Sequence, residues 1–107
     1  MIDLELVKNI IIQNLKNLGI NVQDVYIFGS RSRNDFSEES DYDIFTVIDD
    51  YNGYNKKQLW WTLYKSLHEE FPYIAFDILI RTVKEFEIEK QVVNTLSHEV
   101  FIEGKKI

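Results

Sequence analysis

Apolar residues recur with two different periods along this chain, and the changes of period lay out its elements. Leu4, Val7, Ile11, Leu15 and Leu18 fall at three- and four-residue steps, one face of a helix. Asp3 stands where a side-chain acceptor caps the first turn, and Gly19 where a left-handed residue closes the last. Val22 to Phe28, rich in Val, Ile, Tyr and Phe, reads as a strand that stops at Gly29-Ser30. Arg31 to Ser40 is polar and is expected to include a short helix. A second strand spans Asp41 to Ile48, closed by Asp49-Asp50-Tyr51-Asn52-Gly53. Asn55 caps a helix whose apolar face is Leu59, Trp60, Leu63, Tyr64, Leu67 and Phe71. Pro72 ends it, because proline disfavours helix in the residue before it. A third, almost wholly apolar strand runs from Tyr73 to Ile80. Thr82 and Glu85 have capping-box spacing and open a last helix to about Leu96, carrying Phe86, Ile88, Val92 and Val93; Val100 to Ile102 reads as a short closing strand. The expected fold class is α/β (α+β), a small mixed β-sheet flanked by helices in the order α-β-α-β-α-β-α with a short C-terminal strand. No repeat, low-complexity segment or linker divides the chain, so residues 1–107 read as one domain.

Composition narrows the function classes. With 45% apolar and 28% charged residues in 107, the chain has a normal core and is neither disordered nor fibrous. At this size there is little room for a separate acceptor-binding module, so part of any active site is expected from elsewhere, in a homo- or hetero-oligomer. The formal net charge of −6 argues against stable nucleic-acid binding through counterion release. Cysteine is absent, so there is no disulfide framework and no thiolate zinc site, and His68 and His98 lack ligand-like spacing; both read as surface or hydrogen-bonded structural residues. The N-terminal residues lack a signal-peptide pattern and no run approaches the roughly 18 apolar residues of a membrane span, which points to the cytoplasm. Trp60 and Trp61, about 100° apart on a helix, suggest one core and one partly exposed ring.

Candidate chemistry lies in the acids that strand geometry brings together. Successive strand side chains alternate faces, so Asp41 and Asp43 put two carboxylates on one face about 7 Å apart, the spacing of a shared cation site. Magnesium prefers such hard oxygen ligands and lets substrate phosphates complete its shell. Asp77 interrupts an apolar segment that reads as covered on both faces, where an unpaired charge would cost several kcal/mol and must be paired, protonated or metal-bound. If the third strand lies beside the second, Asp77 joins Asp41 and Asp43 in a three-carboxylate cluster. Gly29 permits close backbone approach and Ser30 offers a donor, a plausible cradle for terminal phosphates. Arg31 and Arg33 either add positive charge there or offset the surrounding acids.

The run Phe28-Gly29-Ser30, ten residues from Arg31 to Ser40, Asp41-Tyr42-Asp43-Ile44 and a later strand Asp77 resembles the nucleotidyltransferase superfamily that includes DNA polymerase beta. Length and element order are most similar to the minimal nucleotidyltransferase (MNT) proteins, and the resemblance covers nearly the whole chain. It implies a nucleotidyltransferase fold. It also implies that Gly29 and Ser30 contact a triphosphate, that Asp41 and Asp43 hold two Mg2+ ions, and that Asp77 completes one metal site and helps activate the acceptor. Relatives often read Gly-Ser-Arg-Ala-Arg-Gly, whereas Asn34 stands at the last position here, a mild departure since Asn tolerates positive φ.

By that resemblance the chain is a nucleotidyltransferase moving a nucleoside monophosphate, AMP from ATP, to a hydroxyl, and the partner is a helical HEPN-domain toxin whose tyrosine accepts it. The chain would then be the antitoxin of a toxin–antitoxin pair. Two alternatives stand beside this: a non-catalytic antitoxin or binding module that neutralises its partner by complex formation, and a subunit of an antibiotic nucleotidyltransferase.

Overall fold

The computed structural model describes residues 2–28 and 42–107. Helix α1 (Leu4–Lys16) starts where the Asp3 carboxylate accepts the Glu5 and Leu6 amides, as its sequence predicts. It closes with a paired turn in which the Ile20 amide donates to the Leu15 carbonyl and the Gly19 amide to that of Lys16. Gly19 sits at φ 77°, and a Cβ there would meet the Asn52 amide nitrogen at 2.7 Å. Strand β1 (Val22–Phe28) has the predicted bounds, and β2 is described from Tyr42 to Ile48. Helix α2 (Lys56–Glu70) opens on Asn55, whose side chain accepts the Gln58 amide while Gln58 reaches back to the Asn55 amide. The helix expected within Arg31 to Ser40 lies outside the described residues.

Three expectations need correction. The third strand, β3, runs Phe76–Thr82 rather than Tyr73–Ile80. Past Pro72 the chain first turns, with the Ile74 amide donating to the Phe71 carbonyl, so Tyr73 projects into solvent and pairing begins only where Ala75 accepts the Tyr42 amide. The last helix is not continuous to Leu96. It divides into α3 (Val83–Glu89) and α4 (Leu96–Glu103), because Asn94 turns the chain at φ 73° and Thr95 caps a new helix through the His98 amide. The Thr95 hydroxyl also donates to the Glu89 carbonyl, fixing the corner. Val100 to Ile102 is therefore helical, and the closing strand β4 is Lys105–Lys106. Helical spacing turns Val100 inward and leaves Phe101 and Ile102 exposed, together with Ile88, Val92 and Val93.

The described strands form one mixed sheet in the order β3-β2-β1-β4, with β1 antiparallel to β2 and β4, and β2 parallel to β3. Alternation then builds two cores. On one face α1 and α2 press Val7, Ile11, Leu15, Leu59, Leu63 and Leu67 onto Val25, Ile27, Ile44, Ile48, Ile78 and Ile80. On the other, Phe86 of α3 and Val100 of α4 cover Phe28, Phe45 and Val47. The four-residue Leu59, Leu63, Leu67 stripe turns Trp60 and Trp61 both away from the core, 37% and 56% exposed, so neither is the core residue expected of the pair. His68 is exposed and His98 bonds the Lys90 carbonyl through Nδ1 (2.7 Å), as expected of structural residues. Among the described residues no helix is long and apolar enough to cross a membrane.

Two stability predictions arise here. Thr46 is wholly buried against the α1/α2 core, and its hydroxyl has no hydrogen-bond partner among the described residues. Thr46→Val removes that desolvated group at nearly constant volume and is expected to stabilise the protein by about 1 kcal/mol in urea denaturation. Glu85 ties three segments together: it accepts the Thr82 amide (2.9 Å) and the Tyr51 hydroxyl and pairs with Lys56 (3.4 Å). Burial alone raises its pKa, but the Tyr51 and Thr82 hydrogen bonds and the Lys56 ammonium outweigh it and hold the carboxyl below the ordinary glutamate value. A depressed folded pKa contributes stability that is present above the ordinary value of 4.5 and is lost as pH falls through the folded one. Wild type should therefore melt higher than Glu85→Gln at neutral pH, with the two melting curves converging as the solution is acidified below that range.

Candidate active site

At one end of the sheet three strands bring residues into a single row. Parallel register sets Asp43 of β2 directly beside Asp77 of β3, and antiparallel register sets Phe28, the last residue of β1, opposite Asp43. Residues paired across a sheet share a face, so both carboxylates project on the α3/α4 face, on strands about 4.8 Å apart. Phe45, two residues along from Asp43 and wholly buried, forms the floor beside them with Phe28 (ring centroids 6.4 Å) and Phe86 (5.4 Å). An apolar floor lowers the local dielectric and strengthens attraction between this acid pair and a cation.

Asp77 is exposed, not the buried carboxylate its apolar neighbours imply. Along β3 only alternate residues are deeply buried, those facing α1 and α2. The opposite face is covered further along, where Leu79 packs on the Phe86 cluster, and is open at Asp77. The expected cost of a lone buried charge therefore does not arise, while the expected neighbourhood with Asp43 does. Asp41, Gly29, Ser30, Arg31 and Arg33 lie outside the described residues, and among the described residues no three acids or histidines converge. Two hard oxygen donors side by side at an open rim suit Mg2+, which takes carboxylate from the protein and leaves the remaining positions to water or phosphate.

Sequence reasoning missed a polar network on the same face. Arg81, four residues beyond Asp77, donates through Nε to Glu89 (3.0 Å), which also accepts the Ser97 hydroxyl (2.8 Å). This joins β3, α3 and the buried start of α4, and so braces the helices bordering the acids. Its members lie eight residues apart in each step, a spacing with no local signature. Residues 8–107 match the family model described as Polymerase beta, Nucleotidyltransferase. Among solved structures, a toxin–antitoxin with AMP-PNP is similar at a TM-score of 0.63 and 23% identity, over 92% of this chain and 70% of that one. Two mutants of the toxin–antitoxin MntA-HpeT are similar at TM-scores of 0.61 and 0.60, with 21% and 23% identity over 92% and 94% of this chain and 70% of each of theirs. Identities this low show a shared fold. No curated protein matches.

Proposed function

This chain belongs to the Polymerase beta nucleotidyltransferase family, and from that premise we propose that it transfers AMP from ATP to a tyrosine hydroxyl of a partner toxin of the HEPN class, acting as its antitoxin. The observation that carries the reading is the in-register pair Asp43 and Asp77 at the sheet end where β1 stops. The similar structures are toxin–antitoxin assemblies, one of them with AMP-PNP, which supports an adenine nucleotide and a protein acceptor.

In this reading Asp43 and Asp77, with Asp41, hold two Mg2+ ions, and Gly29 and Ser30, helped by Arg31 and Arg33, cradle the triphosphate. Bound Mg2+ supplies charge neutralisation of the phosphates and polarisation of the α-phosphoryl group. The acceptor oxygen forms a bond to the α-phosphorus as the bond from that phosphorus to the pyrophosphate oxygen breaks. Pyrophosphate leaves, and Asp77 receives the acceptor proton. Residues 1–107 act as one minimal nucleotidyltransferase domain, with the acceptor supplied by the partner.

The test incubates the purified chain with Mg2+ and each α-labelled nucleoside triphosphate, alone and with a toxin encoded beside it, followed by intact mass of both proteins. Added AMP on the partner is the expected result; no added mass with any nucleotide overturns the reading. A second reading, neutralisation by binding alone, is favoured by the exposed apolar residues of α3 and α4, among them Val93, Phe101 and Ile102. It predicts that Asp43→Ala still protects cells from the toxin.

A further inference from the structure

Among the described residues β3 is the edge of the sheet, bonded to β2 on one side only. The Tyr42 amide donates to the Ala75 carbonyl (3.1 Å). From that bond the parallel register turns the main-chain groups of Asp77, Leu79 and Arg81 toward β2 and those of Phe76, Ile78 and Ile80 outward. The Ile80 carbonyl takes the Arg81 guanidinium (2.8 Å). An edge of this kind is a template for a further strand. The other edge, β4, is two residues long.

Beside β3 lies a groove of about 210 Å³ lined by Lys56, Lys57, Trp60 and residues 78–81. Its charge is opposite to that of the chain. Tyr54 to His68 contains three lysines and no acid, in a protein of net charge −6. Lys56 and Arg81 do reach carboxylates, Glu85 (3.4 Å) and Glu89 (3.0 Å), but both belong to α3 and neither lines the groove. From Trp60 an aromatic ladder continues along α2, Trp60 on Tyr64 (4.9 Å) and Tyr64 on His68 (5.8 Å). These rings already stack on one another, so they do not offer slots for successive bases, and the overall charge opposes nucleic acid. A second copy paired here would set the same cations against one another.

We propose that an extended, acidic segment of a partner protein adds to β3 as a fifth strand and thereby delivers the acceptor hydroxyl to Asp77, the delivery resting on the nucleotidyl-transfer reading above. Cross-strand partners share a face. The segment's residue opposite Asp77 therefore projects onto the Asp43/Asp77 face, while those opposite Ile78 and Ile80 project toward Trp60 and Lys57. Ile80 and Asp77 are about 10 Å apart along the strand, so four residues reach from the groove to the site. The recognised segment then carries its hydroxyl at one position and its acids one and three residues away.

The test titrates the full chain, without nucleotide or metal, with a synthetic peptide of alternating glutamate and valine ending in tyrosine, and with its lysine–valine counterpart. Tryptophan fluorescence and amide hydrogen exchange are read. The acidic peptide is expected to shift the fluorescence and slow exchange of the Ile78 and Ile80 amides by about tenfold or more, and its counterpart to do neither. Lys57→Glu and Trp60→Ala, both at exposed positions, should each weaken binding by about tenfold while leaving the circular dichroism melt in place. No binding, equal binding of both peptides, or protection confined to Lys105 and Lys106 overturns the proposal. So does protection of Ile78 and Ile80 that rises with protein concentration alone, which would make a second copy the occupant. Because no nucleotide is present, failure here leaves nucleotidyl transfer standing. A chain that docks the peptide but transfers no nucleotide to any acceptor refutes the transfer instead.

Discussion

Asp77→Ala is expected to reduce nucleotidyl transfer by about a hundredfold or more while leaving the fold intact, because in the proposed reaction it removes charge where the transition state needs it. The side chain is exposed at the rim of the sheet, so its loss creates no cavity. It also lies in register with Asp43, and like charges directly opposite each other are unfavourable by a few tenths of a kcal/mol. Without divalent cation the variant should therefore melt at or slightly above the wild-type temperature. Adding Mg2+ should raise the melting temperature of wild type and move the variant less, since a ligand stabilises only the state that binds it. Initial rates with α-labelled ATP, set beside thermal melts with and without Mg2+, check both halves. A variant that keeps full transfer removes Asp77 from the site; one that loses transfer by unfolding contradicts its position at the rim.

Phe45→Ala should do the reverse, losing the fold first and activity as a consequence. The ring is wholly buried at the centre of the α3/α4 face, edge-on to Phe28 and against Phe86. Removing such a side chain costs about 3–5 kcal/mol, a large share of the roughly 5–15 kcal/mol that holds a domain of this size. Urea denaturation should show a midpoint lowered in proportion, and Phe45→Leu a smaller loss. The same substitution takes away the floor beside Asp43, so activity should fall with the folded fraction or faster. Comparing the two variants separates residues that perform chemistry from residues that hold the performers in register.

Local patterning in the sequence was enough for what depends on neighbours within one or two turns. The Asp3, Asn55 and Thr82 caps, the Gly19 closure, the β1 bounds and the Pro72 stop all involve groups a few residues apart, and each lies where its pattern places it. The nucleotidyltransferase resemblance, drawn from the Gly-Ser and Asp-x-Asp spacing with Asp77, agrees with the family match over residues 8–107.

What the sequence left to the tertiary structure was everything set by which face another element covers. Apolar residues around Asp77 suggested burial, yet burial there depends on where α3 and α4 sit, and they sit further along the strand. Ile88, Val92 and Val93 read as parts of one continuous last helix, but a corner held by Asn94, Thr95 and Glu89 divides it, and all three are exposed. Helix geometry gave one of Trp60 and Trp61 to the core, and the Leu59, Leu63, Leu67 stripe takes the core instead. The juxtaposition on which the proposed function rests, Asp43 beside Asp77, joins residues far apart in the chain. Only the parallel pairing of β2 with β3 could bring them together, because strand order and register are fixed by packing across the whole sheet and not by any local propensity.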